Sequence, residues 1–131
     1  MEIEKKYHFY AAHRNEYLEG KCQNLHGHTY YVHVRLAFTN TDESGVTMLF
    51  ESIDDIIDPI IASLDHSTLV HEKDIKLIEA LDILNSKRLV FPYPSSAENL
   101  AKYLFDKISS FNLDVKEIRL QETTTSVVIY P

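Results

Sequence analysis

Residues 26–38 carry the longest strand signal in the chain. In Thr29-Tyr30-Tyr31-Val32-His33-Val34-Arg35-Leu36-Ala37-Phe38, aromatic and β-branched side chains dominate. Val32, Val34 and Leu36 recur with a period of two, which lines them along one face of a strand. Residues 2–13 repeat the pattern, with Ile3, Tyr7, Phe9 and Ala11 on one side. The polar stretch 14–25, containing Gly20, reads as the loop between them, and Thr39 to Gly45 reads as a second loop.

A first helix is expected to begin near Ser52, where Ser52 and Asp55 form a capping-box pattern. Ile53, Ile56, Ile57, Ile60, Ile61 and Leu64 then recur with helical spacing. Pro59 lies inside this stretch and predicts a kink or interruption, because it removes a helical hydrogen bond. Within 71–93, Ile75 to Leu84 suits a short extra helix, and Pro92-Tyr93-Pro94 reads as extended. A second long helix follows a capping box at Ser95 and Glu98, with Ala97, Leu100, Ala101, Leu104 and Ile108 as its apolar stripe. Val115–Glu122 and Ser126–Tyr130 read as closing strands, joined by three threonines that suit a tight antiparallel connection. The order strand, strand, helix, helix, strand, strand contains no repeat, low-complexity tract or linker. A single domain over 1–131 is the expectation for 131 residues.

Composition narrows the function. The chain is 44% hydrophobic and 25% charged, as globular domains are. Its formal charge of −7, with no basic stripe, argues against nucleic acid as the main partner. No apolar run approaches the roughly 18 residues that span a bilayer, so no membrane association is expected. Met1 to Lys6 lacks the apolar stretch of a secretion signal. Cys22 is the only cysteine, which rules out an intrachain disulfide and fits a cytoplasmic location.

The chemistry concentrates in Cys22-Gln23-Asn24-Leu25-His26-Gly27-His28. On a strand, His26 and His28 point the same way, within reach of one ion, and Gly27 between them permits close approach. If the two first strands pair antiparallel, His13 at the end of one meets the start of the other. Three imidazoles with a fourth position open is the usual donor set of a catalytic zinc. Cys22 could close that site as a fourth ligand, or stand beside it as a base with a lowered pKa. Asp65-His66 is either an oriented relay pair or a histidine at a helix C-terminus. Glu122 continues the apolar face of Ile118 and Leu120, so it is either a strand end dipping into solvent or a ligand anchor accepting paired N–H donors. His8, His33 and His71 read as structural or surface residues.

Taken together, these segments resemble the 6-pyruvoyltetrahydropterin synthase family, which includes the bacterial 6-carboxytetrahydropterin synthases of the queuosine pathway. The matching pieces run in order from residue 9 to residue 123: Phe9-Tyr10-Ala11-Ala12-His13-Arg14, Lys21-Cys22 with Leu25-His26-Gly27-His28, Leu64-Asp65-His66, Ser96-Ala97-Glu98-Asn99-Leu100-Ala101, and Gln121-Glu122-Thr123. The resemblance implies the tunnelling fold, an α+β architecture with a four-stranded antiparallel sheet and two helices on one face. It implies sheets joined into a barrel of three subunits, two such trimers stacked into a homo-hexamer, and active sites between subunits. It implies zinc (Zn2+) on His13, His26 and His28, proton transfer by Cys22 with Asp65 and His66, and a pterin ring anchored by Glu122.

The implied substrate is 7,8-dihydroneopterin triphosphate. The implied product is 6-carboxy-5,6,7,8-tetrahydropterin, with loss of acetaldehyde and triphosphate, because Cys22 stands four residues before His26 as in the carboxy branch. In the pyruvoyl branch the reaction stops after triphosphate elimination. 6-Pyruvoyltetrahydropterin synthase or another pterin side-chain lyase on the same substrate, and a non-enzymatic zinc- or pterin-binding protein, are the alternatives. The chain departs from many relatives at Leu49, where an Asp commonly precedes Phe50, at Val70, where Asn is common, and in a longer 71–93 segment.

Overall fold

The computed structural model describes residues 1–131. Its elements are β1 (Glu2–His13), β2 (His26–Ala37), α1 (Phe50–Leu64), β3 (Ser67–His71), α2 (Ile75–Leu84), β4 (Arg88–Phe91), α3 (Ala97–Ser109), β5 (Val115–Thr123) and β6 (Ser126–Tyr130). A 3₁₀ turn, Gly20–Gln23, sits in the loop between β1 and β2. The fold is α+β, but the expected four-stranded antiparallel sheet is only part of it. The sheet has six strands in the order β4-β3-β1-β2-β5-β6. β1, β2, β5 and β6 form the antiparallel part, while β3 joins β1, and β4 joins β3, in parallel.

The two short parallel strands escape a periodicity argument for a physical reason. All five residues of β3 are buried, so no polar–apolar alternation marks it. The parallel β3–β4 pair also needs a crossover, and α2 supplies it. The helix expected over Ile75–Leu84 is therefore present, with Asp74 as its N-cap accepting from the Leu77 N–H. It packs on the other face of the sheet from α1 and α3: Leu77 and Leu81 cover Val70, apart from the main core. Two helices on one face thus becomes two on one face and a third opposite.

The main core lies between the sheet and α1 with α3. Phe9 and Tyr30 are register partners, fully buried, with rings stacked at 4.8 Å. Val32, Val34, Leu36, Ile118 and Leu120 extend the same face, against Ile53, Ile57 and Leu64 of α1 and Leu100, Leu104 and Ile108 of α3. Burying each such side chain stabilises the fold by roughly 1.5–3 kcal/mol. Tyr7 and Lys5 tie β1 to α1 by donating to Asp54 at 2.7 and 3.1 Å.

Two details of the helix ends differ from the sequence reading. α1 starts at Phe50, with Leu49 at the cap position and no side-chain cap, so the Ser52–Asp55 box goes unused. Ser52 lies inside the first turn, where its own N–H bonds Leu49 O. Pro59 is accommodated within an unbroken helix. It and Asp55, whose carbonyl loses its partner, lie on the exposed side, where water can satisfy that oxygen. α3 is capped by Ser96, which accepts from the Asn99 N–H at 3.2 Å, one residue later than expected. Ser95 is instead buried. No helix is long and apolar enough to cross a membrane.

Candidate metal centre and its surroundings

The antiparallel register places His13 directly across from His26, and His28 across from Ala11. Because strand side chains alternate, His13 continues the Phe9–Ala11 face, and His26 and His28 continue the face of Tyr30 and Val32. All three imidazoles therefore emerge on the core face, at the end of the ladder where the apolar filling stops. Ring centroids lie 4.8, 5.2 and 4.9 Å apart. One ligand atom from each lies within 4.8 Å of the others. A tetrahedral ion with nitrogen bonds near 2.0–2.1 Å needs donors roughly 3.4 Å apart, a distance small side-chain rotations reach.

Main-chain oxygens fix two of the rings. His13 Nδ1–H donates to Ser95 O at 2.7 Å, and His26 Nδ1–H donates to Asn24 O at 2.6 Å. A carbonyl only accepts, so each Nδ1 carries a proton, and in the neutral ring the lone pair is then on Nε2. His28 Nε2 is buried without a hydrogen-bond partner. Burial is the main cause that holds the His13 and His28 imidazoles below the usual histidine range, against the opposing pull of the Glu122 carboxylate. Two rings fixed at Nδ1 and one with an orphaned buried nitrogen suit a divalent ion.

Glu122 lies on the same face. Its oxygens stand 3.5 Å from His28 Nε2 and 3.9 Å from His13 Nε2. Burial also pushes the neighbouring Tyr30 hydroxyl upward, with Glu122 adding to the effect, and that hydroxyl has no partner. A cavity of about 410 Å³ opens beside the imidazoles, lined by His13, His26, Cys22, Ser95, Glu98 and Glu122 among others. Cys22 is exposed in the 3₁₀ turn and falls outside the three-histidine cluster, so the arrangement does not make it a fourth ligand. Its carbonyl accepts from the Asn15 N–H at 2.9 Å, which ties the turn to the end of β1.

Asp65 and His66 lie elsewhere. Asp65 is the C-cap of α1, and His66 adopts a left-handed backbone, φ 55°, that turns the chain into β3. His66 N–H bonds Tyr10 O at 2.6 Å, Asp65 accepts from the Tyr10 N–H at 2.9 Å, and His66 Nδ1–H donates to Asp65 at 2.8 Å. These bonds, the Tyr10 amide foremost, hold the Asp65 carboxyl below the usual carboxylate range. The His66 ring stands against Tyr10, on the sheet face opposite the imidazoles. There it borders a shallow depression of about 480 Å³, lined also by Tyr10, Ala12, Gly27, His28 and Thr68 among others. A Cβ on Gly27 would meet Ala11 O at 3.4 Å on that side. Within one protomer, then, Cys22 and Glu122 share a cavity with His13 and His26, and the Asp65–His66 pair does not line it.

Sequence reasoning missed Ser95, Asn24 and Asn15 as supports. Each acts through its main chain, which carries no side-chain signal. His71 is buried and hydrogen-bonded to Glu16, as a structural histidine should be, while His8 is exposed and His33 half-buried.

The structure defines an α+β domain with a candidate tris-histidine metal centre at one end of a strand ladder. The family model described as 6-pyruvoyl tetrahydropterin synthase matches residues 2–131, and the chain belongs to that family. It is 31% identical over 138 residues to the 6-carboxy-5,6,7,8-tetrahydropterin synthase of Haemophilus influenzae, covering 99% of this chain and 98% of that one. It is 29% identical to the protein of the same name from Rickettsia conorii, covering 95% of each. Among solved structures, an uncharacterized protein from Wolinella succinogenes has a TM-score of 0.81 at 19% identity, covering 99% of this chain and 97% of that one. The Caenorhabditis elegans 6-pyruvoyl tetrahydropterin synthase has a TM-score of 0.73 at 23% identity, covering 99% of this chain and 94% of that one. Both are likenesses of fold.

Proposed function

We propose that this protein is a zinc-dependent pterin lyase that converts 7,8-dihydroneopterin triphosphate to 6-carboxy-5,6,7,8-tetrahydropterin, releasing acetaldehyde and triphosphate for queuosine precursor synthesis. The observation that carries this reading is the His13–His26–His28 cluster with its fixed tautomers and orphaned nitrogen. The names of the relatives near 30% identity support the carboxy product. A zinc ion held by His13, His26 and His28 would supply Lewis-acid polarisation of substrate oxygens.

The chain's own residues supply the rest. Glu122 accepts two N–H donors from the pterin ring edge and so orients the side chain toward the imidazoles. Cys22, which lines the same cavity, exchanges a proton with the substrate side chain. Asp65 keeps His66 oriented through Nδ1, leaving Nε2 to take or return a proton. Because that pair stands on the other sheet face, a neighbouring subunit brings it to the cavity. This accords with sheets joined into a barrel and a homo-hexamer of two trimers, in the cytoplasm. Such joining also pairs the edges that β4 and β6 leave open.

Purified protein incubated with dihydroneopterin triphosphate tests the reading, with products identified by mass. Acetaldehyde in step with a carboxypterin is the expected result. A retained three-carbon side chain assigns the pyruvoyl reaction instead. If Cys22→Ala turns over substrate as the parent does, Cys22 has no part in proton transfer. If neither protein turns over any pterin while both bind zinc, the protein is a binding module.

A further inference from the structure

The loop that carries Cys22 is anchored from outside the site. Arg14, next to a proposed ligand, donates from Nε and Nη2 to both oxygens of Asp74, the Nε contact being 2.7 Å. Asp74 is 4% exposed and also caps α2. Two residues further along the loop, Glu16 accepts from His71 Nδ1–H at 2.6 Å. His71 is 5% exposed, and the Tyr17 ring packs 5.9 Å from its own. Asn15 lies between these two anchors, and its N–H holds the Cys22 carbonyl at 2.9 Å.

Two charged side chains on alternate residues thus grip the segment 71–74, and the residue between them grips the cysteine. One further detail argues that position outweighs stability here. Glu16 Oε2 is buried with no partner. A buried carboxylate oxygen left unpaired is unfavourable for folding, and such groups persist where they fix something else.

We propose that the Arg14–Asp74 and Glu16–His71 pairs form a double clamp that positions Cys22 over the metal-side cavity through the Asn15–Cys22 main-chain bond. Glu16, His71 and Asp74 are then positioning residues, and the crossover segment 71–74 acquires a role. The inference rests on the reading of Cys22 as the proton-transferring residue.

The test compares Glu16→Ala, Glu16→Gln, Asp74→Asn and Cys22→Ala in full-length, zinc-loaded protein. Asn remains a good helix cap, so Asp74→Asn weakens the clamp without removing the cap of α2. Amide hydrogen exchange reads the clamp directly. Glu16→Ala and Asp74→Asn should lose about tenfold in protection at Asn15, with β1 and β2 amides unchanged. Turnover should show kcat down about tenfold or more with KM within about twofold, since small misplacement of a reacting group costs rate. Zinc content should stay at the parent value. Glu16→Gln, which keeps an acceptor for His71, should restore most of both readouts.

Unchanged Asn15 protection and unchanged kcat in both clamp variants, with Cys22→Ala inactive, overturn the clamp and leave the cysteine reading intact. Lost Asn15 protection with a parental kcat in a protein that needs Cys22 overturns the positioning role. If Cys22→Ala is fully active, the positioning role falls with the Cys22 reading, whatever the exchange data give. Should Glu16→Ala fail to fold, Asp74→Asn carries the same arms.

Discussion

On one face of the β1–β2 ladder, two of three imidazoles are pinned by main-chain oxygens and the third is buried without a partner. On the other face, Asp65 and His66 are held by each other and by the Tyr10 backbone, with the His66 side chain 75% exposed. Both regions shift pKa values downward, for opposite reasons. Burial disfavours the charged form of His13 and His28, leaving them neutral and ready to ligate. Hydrogen bonding favours the charged form of Asp65, leaving it an anion that orients a histidine. One face gathers three imidazoles, the other sets a carboxylate against a histidine, and the sheet lies between them.

The largest effect expected from breaking this contrast is at the imidazoles. His28→Ala should lower zinc affinity roughly 100-fold or more and abolish turnover, read by metal analysis of dialysed protein alongside the product assay. Next comes the opposite face. His66→Ala should cut turnover about 100-fold with a full complement of zinc, as loss of a general acid–base group does. Co-assembling inactive His66→Ala and Cys22→Ala chains should then restore part of the activity. No recovery in verified mixed oligomers would mean that the two faces do not meet between subunits.

Acidification should separate the faces without mutation. His13 and His28 take up protons more readily unfolded than folded. Metal-free protein should therefore lose stability as pH falls below about 6.5 toward their lower folded values. Asp65 has its folded pKa depressed, so its contribution is present above about 3.9 and is lost as pH falls through the folded value. In Tm-versus-pH curves of metal-free protein, His28→Asn should flatten the first decline. Asp65→Asn should lie below the parent at neutral pH and converge with it at the acid end. The smallest effect is expected from Gly27→Ala. Its methyl group enters the His66 side at ordinary contact distance from Ala11 O, so zinc content should be parental and any loss should appear in KM.

Much of this was legible residue by residue. The strands 2–13 and 26–38 came from alternation, and their antiparallel pairing brought His13 to His26 and His28 as anticipated. The apolar stripes of α1 and α3 lie in the core as their spacing implied. Short local patterns were less dependable. The Ser52 and Ser95 boxes each fit the rule for a cap, yet α1 begins earlier, at Phe50, and Ser96 caps α3. Several adjacent residues satisfy the same local chemistry, and packing selects among them. β3 went unread because continuous burial erases the alternation that announces a strand, and β4 because its four residues are too few to show one.

The sequence by itself determined which residues alternate, which form amphipathic stripes, and that three histidines lie at the ends of two strands able to meet. Those are properties of neighbours in the chain, and backbone periodicity converts them into faces. Only the tertiary structure decided that Asp65 and His66 stand behind the sheet, that Ser95 and Asn24 set two tautomers, and that Asp74 and His71 reach back to the Cys22 loop. Those facts depend either on main-chain atoms shared by every residue type, as at Asn24, or on contacts across 50 or more positions, which residue patterns do not announce.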